Sequence, residues 1–193
     1  MASTDFPFIA IGAAAGALNA VRYITEALPR DCAAAIAVVF HTGPYPSHLP
    51  EILSWHGKLP VVFGEEGADL EPGRVYVAPP DHHMLLEPPG RIRVVRGSPI
   101  HNTRPAVDPL FASAAATFGP RVVGVVLSGR GKDGADGLRT IKNHGGLALV
   151  QDPVEAPEPQ MPAAAFAHDD PEVLPIDRLA RRVAELCAGM KAA

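Results

Sequence analysis

The chain opens on an apolar run, Phe6 to Ile11, closed by Gly12. That is the pattern of a strand buried on both faces in a parallel sheet. Leu18, Val21, Ile24 and Leu28 then recur at near-helical spacing, so Ala13-Ala14-Ala15-Gly16-Ala17 is a tight strand-to-helix turn. Gly12 and Gly16 allow the backbone to bend and pack closely there. Such turns stand at the carboxyl edge of an open α/β sheet, where these folds bind ligands.

The same alternation continues. Ala35 to Phe40 is a second buried strand that ends at His41, and Thr42 to Pro50 is loop. Leu49, Ile52 and Leu53 predict a short helix closing near Trp55, and Pro60 to Phe63 and Arg74 to Ala78 predict strands. Between these two strands Glu65, Glu66 and Asp69 read as a solvated acidic loop. Met84 to Glu87 and Arg91 to Arg96 flank Pro88-Pro89-Gly90 as a hairpin. Asp108 before Pro109 predicts a capped helix start, with the helix running to about Phe118. Val122 to Leu127 is a buried strand feeding the loop Ser128-Gly129-Arg130-Gly131-Lys132-Asp133-Gly134 and a helix to about His144. Leu147 to Gln151 is the last clear strand, residues 152–162 loop over the carboxyl edge, and Asp177 caps a final helix presenting Leu179, Val183 and Leu186. Strands alternating with helices predict an α/β fold: three layers (αβα), a mostly parallel doubly wound sheet and an antiparallel hairpin. Without repeat or linker, residues 1–193 are expected to form a single domain.

Composition narrows the function classes. With 47% hydrophobic and 20% charged residues the chain is globular, and a formal net charge of -4 offers no basic face, so no nucleic-acid partner is expected. Cys32 and Cys187, far apart and without a CxxC, are expected to be free thiols. The N-terminal apolar run has Asp5 before it, no Lys or Arg, and Pro7 within it. It is also shorter than the roughly 20 residues that span a bilayer. Although Leu18-Asn19-Ala20 loosely imitates a cleavage site, cytoplasmic residence without membrane insertion is expected.

The turn at Gly12-Ala13-Ala14-Ala15-Gly16 resembles the Gly-Ala-Ser-x-Gly-Gly turn of the CheB-type protein-glutamate methylesterase domain of bacterial chemotaxis. Further matches follow in order: His41, Val77-Ala78-Pro79 with Asp81, His83 and Met84, and Arg104-Pro105-Ala106-Val107-Asp108. Then come Leu127-Ser128-Gly129, Gly131-Lys132-Asp133-Gly134, Gln151 and Met161-Pro162. Ordered matches over residues 7–186 are far more specific than any one motif. The resemblance implies a Ser-His-Asp hydrolase acting on glutamyl methyl esters of chemoreceptors or similar helical proteins, without a regulatory receiver domain in this chain. It assigns His41 as general base, Asp133 as its orienting carboxylate, and backbone groups near Ala15 and Arg130 as oxyanion donors, with Met161 in the pocket. The serine position is Ala14. Ala17 stands for a usual glycine, Ala106 for a usual serine and Arg130 for a usual methionine, so an altered pocket is expected.

Each residue also has a plainer role open to it. A loop histidine such as His41 is often structural, and Asp133 beside Gly134 could be a turn or cap residue. The loop Gly129 to Gly134 has phosphate-loop glycines, but Asp133 sits where phosphate would come and no Ser or Thr follows Lys132. Ser128 and Thr42 are the candidate substitute nucleophiles, and neither is on the sharp turn. His82 and His83 point to opposite faces on a strand and no HExxH is present, so no metal and no cofactor are expected. Three readings remain open at Ala14: a serine deliberately replaced, a natural pseudoenzyme that binds without hydrolysis, or a hydrolase in which His41 activates water. Ala17 and Ala106 weigh against the first, because one engineered change would leave them alone.

Overall fold

In the computed structural model the described residues are 5–167 and 170–189. Alternation along β1 (Phe8–Ala13) decides the layers. Phe8 and Ala10 enter the core on one side of the sheet, Ile9, Ile11 and Ala13 the core on the other, all buried. A strand buried on both faces has to be central. Accordingly β1 lies between β2 (Ala35–Phe40) and β7 (Val122–Val126), parallel to both. Beyond β2 come β4 (Val75–Val77) and β3 (Val61–Phe63); beyond β7 come β8 (Leu147–Gln151) and β9 (Glu172–Leu174). The order β3-β4-β2-β1-β7-β8-β9 is parallel throughout, and β5 (His83–Glu87) with β6 (Arg91–Val95) forms a separate antiparallel pair.

Helices α1 (Leu18–Ala27), α2 (Leu49–Ser54) and α6 (Ile176–Gly189) cover the Ile9 face. Helices α3 (Val107–Phe118), α4 (Ala135–Asn143) and α5 (Gln160–Phe166) cover the other, together with Met84, Leu86 and Ile92 of the hairpin. From β1 the chain winds one way to β2 and β4, and from β7 the other way to β8 and β9. The carboxyl ends of β1 and β7 therefore flank the switch point of the sheet, where open α/β folds place their ligands. Gly12 makes the packing there possible, because a Cβ on it would collide with the Val107 side chain at the start of α3.

Several local expectations change. Helix α3 begins two residues earlier than the Asp108-Pro109 signal predicts, with Ala106 at the N-cap and no side-chain cap of its own. Asp177 lies inside the first turn of α6, whose first hydrogen bond runs from the Leu179 amide to the Pro175 carbonyl at 2.8 Å. Leu18 begins α1 but stays 38% exposed. The segment 152–162, expected as loop alone, turns into α5, and β9 adds an edge strand with no distinct sequence signal. The acidic loop docks on β6: Glu66 accepts the Val94 amide at 2.6 Å and pairs with Arg93 at 2.9 Å. Cys32 and Cys187 are free and buried. Among the described residues no helix is long and apolar enough to cross a membrane.

Candidate active site

Ala14 is the first residue beyond β1. Its amide donates to the Ser128 carbonyl and its carbonyl accepts from the Ala17 amide, both at 3.0 Å, which ties the β1 and β7 ends and closes the turn into α1. Gly16 has φ +77, and a Cβ there would meet Pro157 and the Ser128 hydroxyl. His41 is the first residue beyond β2. Ala13 pairs with Phe40, and the His41 amide donates to the Ala13 carbonyl at 3.1 Å, so sheet register alone sets His41 beside Ala14.

Asp133 arrives from the β7–α4 loop. Its Oδ2 lies 2.8 Å from His41 Nε2 and accepts the Val107 amide at 2.6 Å, while its Oδ1 accepts the Asp108 amide at 3.0 Å. The carboxylate thus caps α3 from another loop, the task expected of Asp108. Burial pushes the Asp133 carboxyl up, but the bonds from His41 and the two amides outweigh it and hold the group below the usual carboxylate range. An ionised carboxylate only accepts, so His41 Nε2 carries the proton and Nδ1 is left as the basic nitrogen.

Asp108 serves the other helix. Its Oδ1 accepts the Gly134 amide at 3.0 Å and the Gly137 amide at 2.7 Å, and its Oδ2 lies 3.0 Å from His101 Nε2. Burial raises its carboxyl, the Gly137 amide opposes that, and the charge on Asp133 adds to the rise. The two aspartates therefore cap each other's helices, an arrangement that lashes α3 to α4 beside His41. Among the described residues His101, Asp108 and Asp133 also bring ligand atoms within 4.8 Å of one another, a carboxylate–His set the sequence did not display. The amides and imidazoles already bound to these oxygens account for the cluster without an ion. His83, for its part, is buried, with Nε2 on the Ser98 carbonyl and Nδ1 accepting the Ala106 amide, so it braces the start of α3.

The floor of the site is Gly129 and Met161. The Met161 amide donates to the Gly129 carbonyl at 2.9 Å. A Cβ on Gly129 would overlap the Met161 sulfur and fall 2.8 Å from the Ala14 methyl, so only glycine lets these three approach. Ser128 is fully buried, and its Oγ donates to the Ala15 carbonyl at 2.9 Å and accepts the Glu158 amide at 2.9 Å. That hydroxyl staples the turn to the segment crossing over it and is not available as a nucleophile. The Thr42 hydroxyl is buried without a hydrogen-bond partner among the described residues, so His41 does not activate it in this geometry. The Arg130 guanidinium, expected to bring charge to the pocket, is 73% exposed and turned to Glu158 at 2.8 Å. Among the described residues the amides of Ala15 and Arg130 have no acceptor; Ala15 follows Ala14 in the turn, and Arg130 follows Gly129, which packs against the Ala14 methyl. Gln151 and Gln160 hold this loop, accepting the Ser128 amide at 2.9 Å and the Gly131 amide at 2.8 Å. Gln160 carries no motif that would have marked it.

The profile of the CheB methylesterase family matches residues 9–183. The chain is 37% identical over 179 residues to protein-glutamate methylesterase FrzG of Myxococcus xanthus, covering 90% of this chain and 53% of FrzG. It is 36% identical over 184 residues to protein-glutamate methylesterase/protein-glutamine glutaminase 1 of Xanthomonas euvesicatoria, covering 93% of this chain and 51% of that one. It thus spans about half the length of these two relatives. The crystal structure of the Thermotoga maritima CheB methylesterase catalytic domain superposes with a TM-score of 0.89 at 30% identity, over 94% of this chain and 98% of that one. On the family match, the identities and the shared fold, the chain belongs to the CheB methylesterase family.

Proposed function

We propose that this protein engages glutamyl methyl esters on a helical protein of the chemoreceptor kind, in the cytoplasm, and hydrolyses them at or near background because Ala14 replaces the nucleophile. The observation that carries this reading is a paired His41 and Asp133, 2.8 Å apart, standing next to a turn that offers only a methyl group.

In a family member with serine at this turn, His41 Nδ1 would take the hydroxyl proton as the oxygen attacks the ester carbonyl, and would return it to the departing methoxide. Asp133 would hold the ring and stabilise the imidazolium. The Ala15 and Arg130 amides would receive the carbonyl oxygen as it becomes anionic. Here the acid–base pair and the amide donors remain but no acyl intermediate can form. Oxyanion stabilisation and binding alone leave about 10³- to 10⁴-fold over water in a serine protease stripped of its triad, far below a working enzyme.

This reading is tested by incubating the protein with a helical peptide bearing one glutamate methyl ester. Saturable binding is expected, with the ester recovered intact by mass spectrometry. A peptide that fails to bind, or that returns as the free acid, contradicts it.

A further inference from the structure

A cleft of about 400 Å³ opens beside His41 and is lined on its far side by Asp81, Arg96 and Arg104. Arg104 is locked: Nε lies 2.9 Å from Asp81 Oδ1, Nη2 reaches the same oxygen, and Nη1 donates to the Gly97 carbonyl at 2.7 Å. The hydrogen bonds from this guanidinium are the largest cause that holds the Asp81 carboxyl below its ordinary range, with the Arg96 and His82 charges adding to it, and one guanidinium suffices to match its charge. Arg96 then approaches the other oxygen, Oδ2, at 2.9 Å, with its side chain 67% exposed. Two guanidiniums thus share one carboxylate, leaving one positive charge in excess in the cleft of a chain whose formal net charge is -4. An exposed ion pair such as Arg96–Asp81 is weak and exchanges readily, so the Arg96 fork can turn to a second carboxylate and grip it with two hydrogen bonds.

We propose that Arg96 is a specificity residue that pairs with a carboxylate one helical turn from the esterified glutamate, so that the cleft selects acidic helices. This deepens the reading given under Proposed function and rests on it. His41 and Arg96 line one cleft, and on a helix side chains three or four residues apart lie about 5–6 Å from each other at Cβ, so an ester held at His41 carries its next-turn neighbour into that cleft. Arg104 is a positioning residue, because it fixes Asp81 and so leaves the Arg96 charge unmatched.

The test uses two alanine-based helical peptides with one central glutamate methyl ester, flanked four residues away on each side by Glu in one and Gln in the other. Binding is read by fluorescence anisotropy at low salt. The unaltered protein is expected to prefer the Glu peptide by about 2- to 5-fold, the scale of one partly exposed charge pair. Arg96→Gln should erase that preference while keeping the affinity for the Gln peptide. Arg96→Glu should instead prefer a peptide with Lys at the flanking positions. Arg139→Gln, which removes an exposed arginine of α4 outside the cleft, should keep the preference. Equal binding of the two peptides by the unaltered protein overturns this proposal alone, as does an equal effect of Arg139→Gln. Binding of neither peptide overturns the functional reading and this proposal together.

Discussion

Ala14→Ser is expected to raise glutamyl methyl ester hydrolysis at least about 10³-fold over the unaltered chain. Loss of the nucleophilic serine cost about 10⁶ in turnover in a well-studied serine protease, which sets the scale of what a restored serine can return. Misplacement by about 1 Å can forfeit on the order of 10²-fold, so the expected gain sits below that ceiling. In sequence, Ala17, Ala106 and Arg130 argue that the site has drifted and that Ala14→Ser alone returns little activity, with more when Ala17→Gly is added. Geometry weakens all three arguments. Ala17 has φ -88 and ψ -8, which any L-residue adopts, and its methyl is buried on the α1 side of the sheet, away from the Asp133 side. Ala106 lacks a capping hydroxyl, but Asp133 already binds the Asp108 amide that such a hydroxyl would serve, and the Val107 amide as well. Arg130 spends its charge on Glu158 at the surface. Ala14 itself is not among the residues with positive φ, so a serine there meets no backbone strain. Methanol release by equal concentrations of the two proteins reads the ratio. A ratio near one means that the acid–base pair is too far out of place to serve a serine.

Asp133→Ala is expected to lower stability by about 3 kcal/mol, because it strands two buried amides and one imidazole N–H that together had a single carboxylate. For a chain of this size that is a fall in Tm of roughly 6–12 °C. In the Ala14→Ser background, Asp133→Asn should cost about 10⁴-fold in turnover, the loss seen when the corresponding serine-protease carboxylate becomes an amide. The pH dependence has a definite sign. The Asp133 carboxyl lies below its ordinary value in the folded protein, so its contribution is complete above the unfolded value of about 3.9 and is lost as pH falls further. Asp108 is shifted the other way, so its contribution is present below the unfolded value and is lost as pH rises through the folded one. Unfolding curves between neutral and acid pH should therefore converge for the Asp133→Ala variant and the unaltered protein at low pH and diverge at neutral pH. A constant gap would show that the carboxylate charge contributes nothing.

How much of this was legible depended on the range of the interaction. The bounds of β2 and β8 could be read directly, because a strand buried on both faces is one uninterrupted apolar run. The mostly parallel sheet and the hairpin followed from alternation and turn chemistry, whereas the strand order did not. The edge strand β9 is three residues long and only partly buried, and α5 begins in a proline-rich stretch, so neither leaves a periodic signal. At the site, the positions after β1, β2 and β7 were visible through motif resemblance. The exchange of caps between Asp108 and Asp133 was not, since local capping rules assign each Asp to the helix it precedes, and here tertiary contacts swap them. Asp81 and Arg104 were both noticed in sequence, yet their pairing across 23 residues of chain is a fact of the fold.

The central claim is that the acid–base pair is intact and only the nucleophile is missing. The measurement that bears on it most directly is methanol release from a glutamyl methyl ester peptide by the unaltered chain, set against a protein-free blank. The account predicts no more than the residual rate that binding and oxyanion stabilisation leave, at most about 10³- to 10⁴-fold over the blank and far below enzymatic turnover. A turnover near 1 s⁻¹, within the usual enzyme range of roughly 1 to 10³ s⁻¹, would contradict it and show that His41 Nδ1 activates water directly.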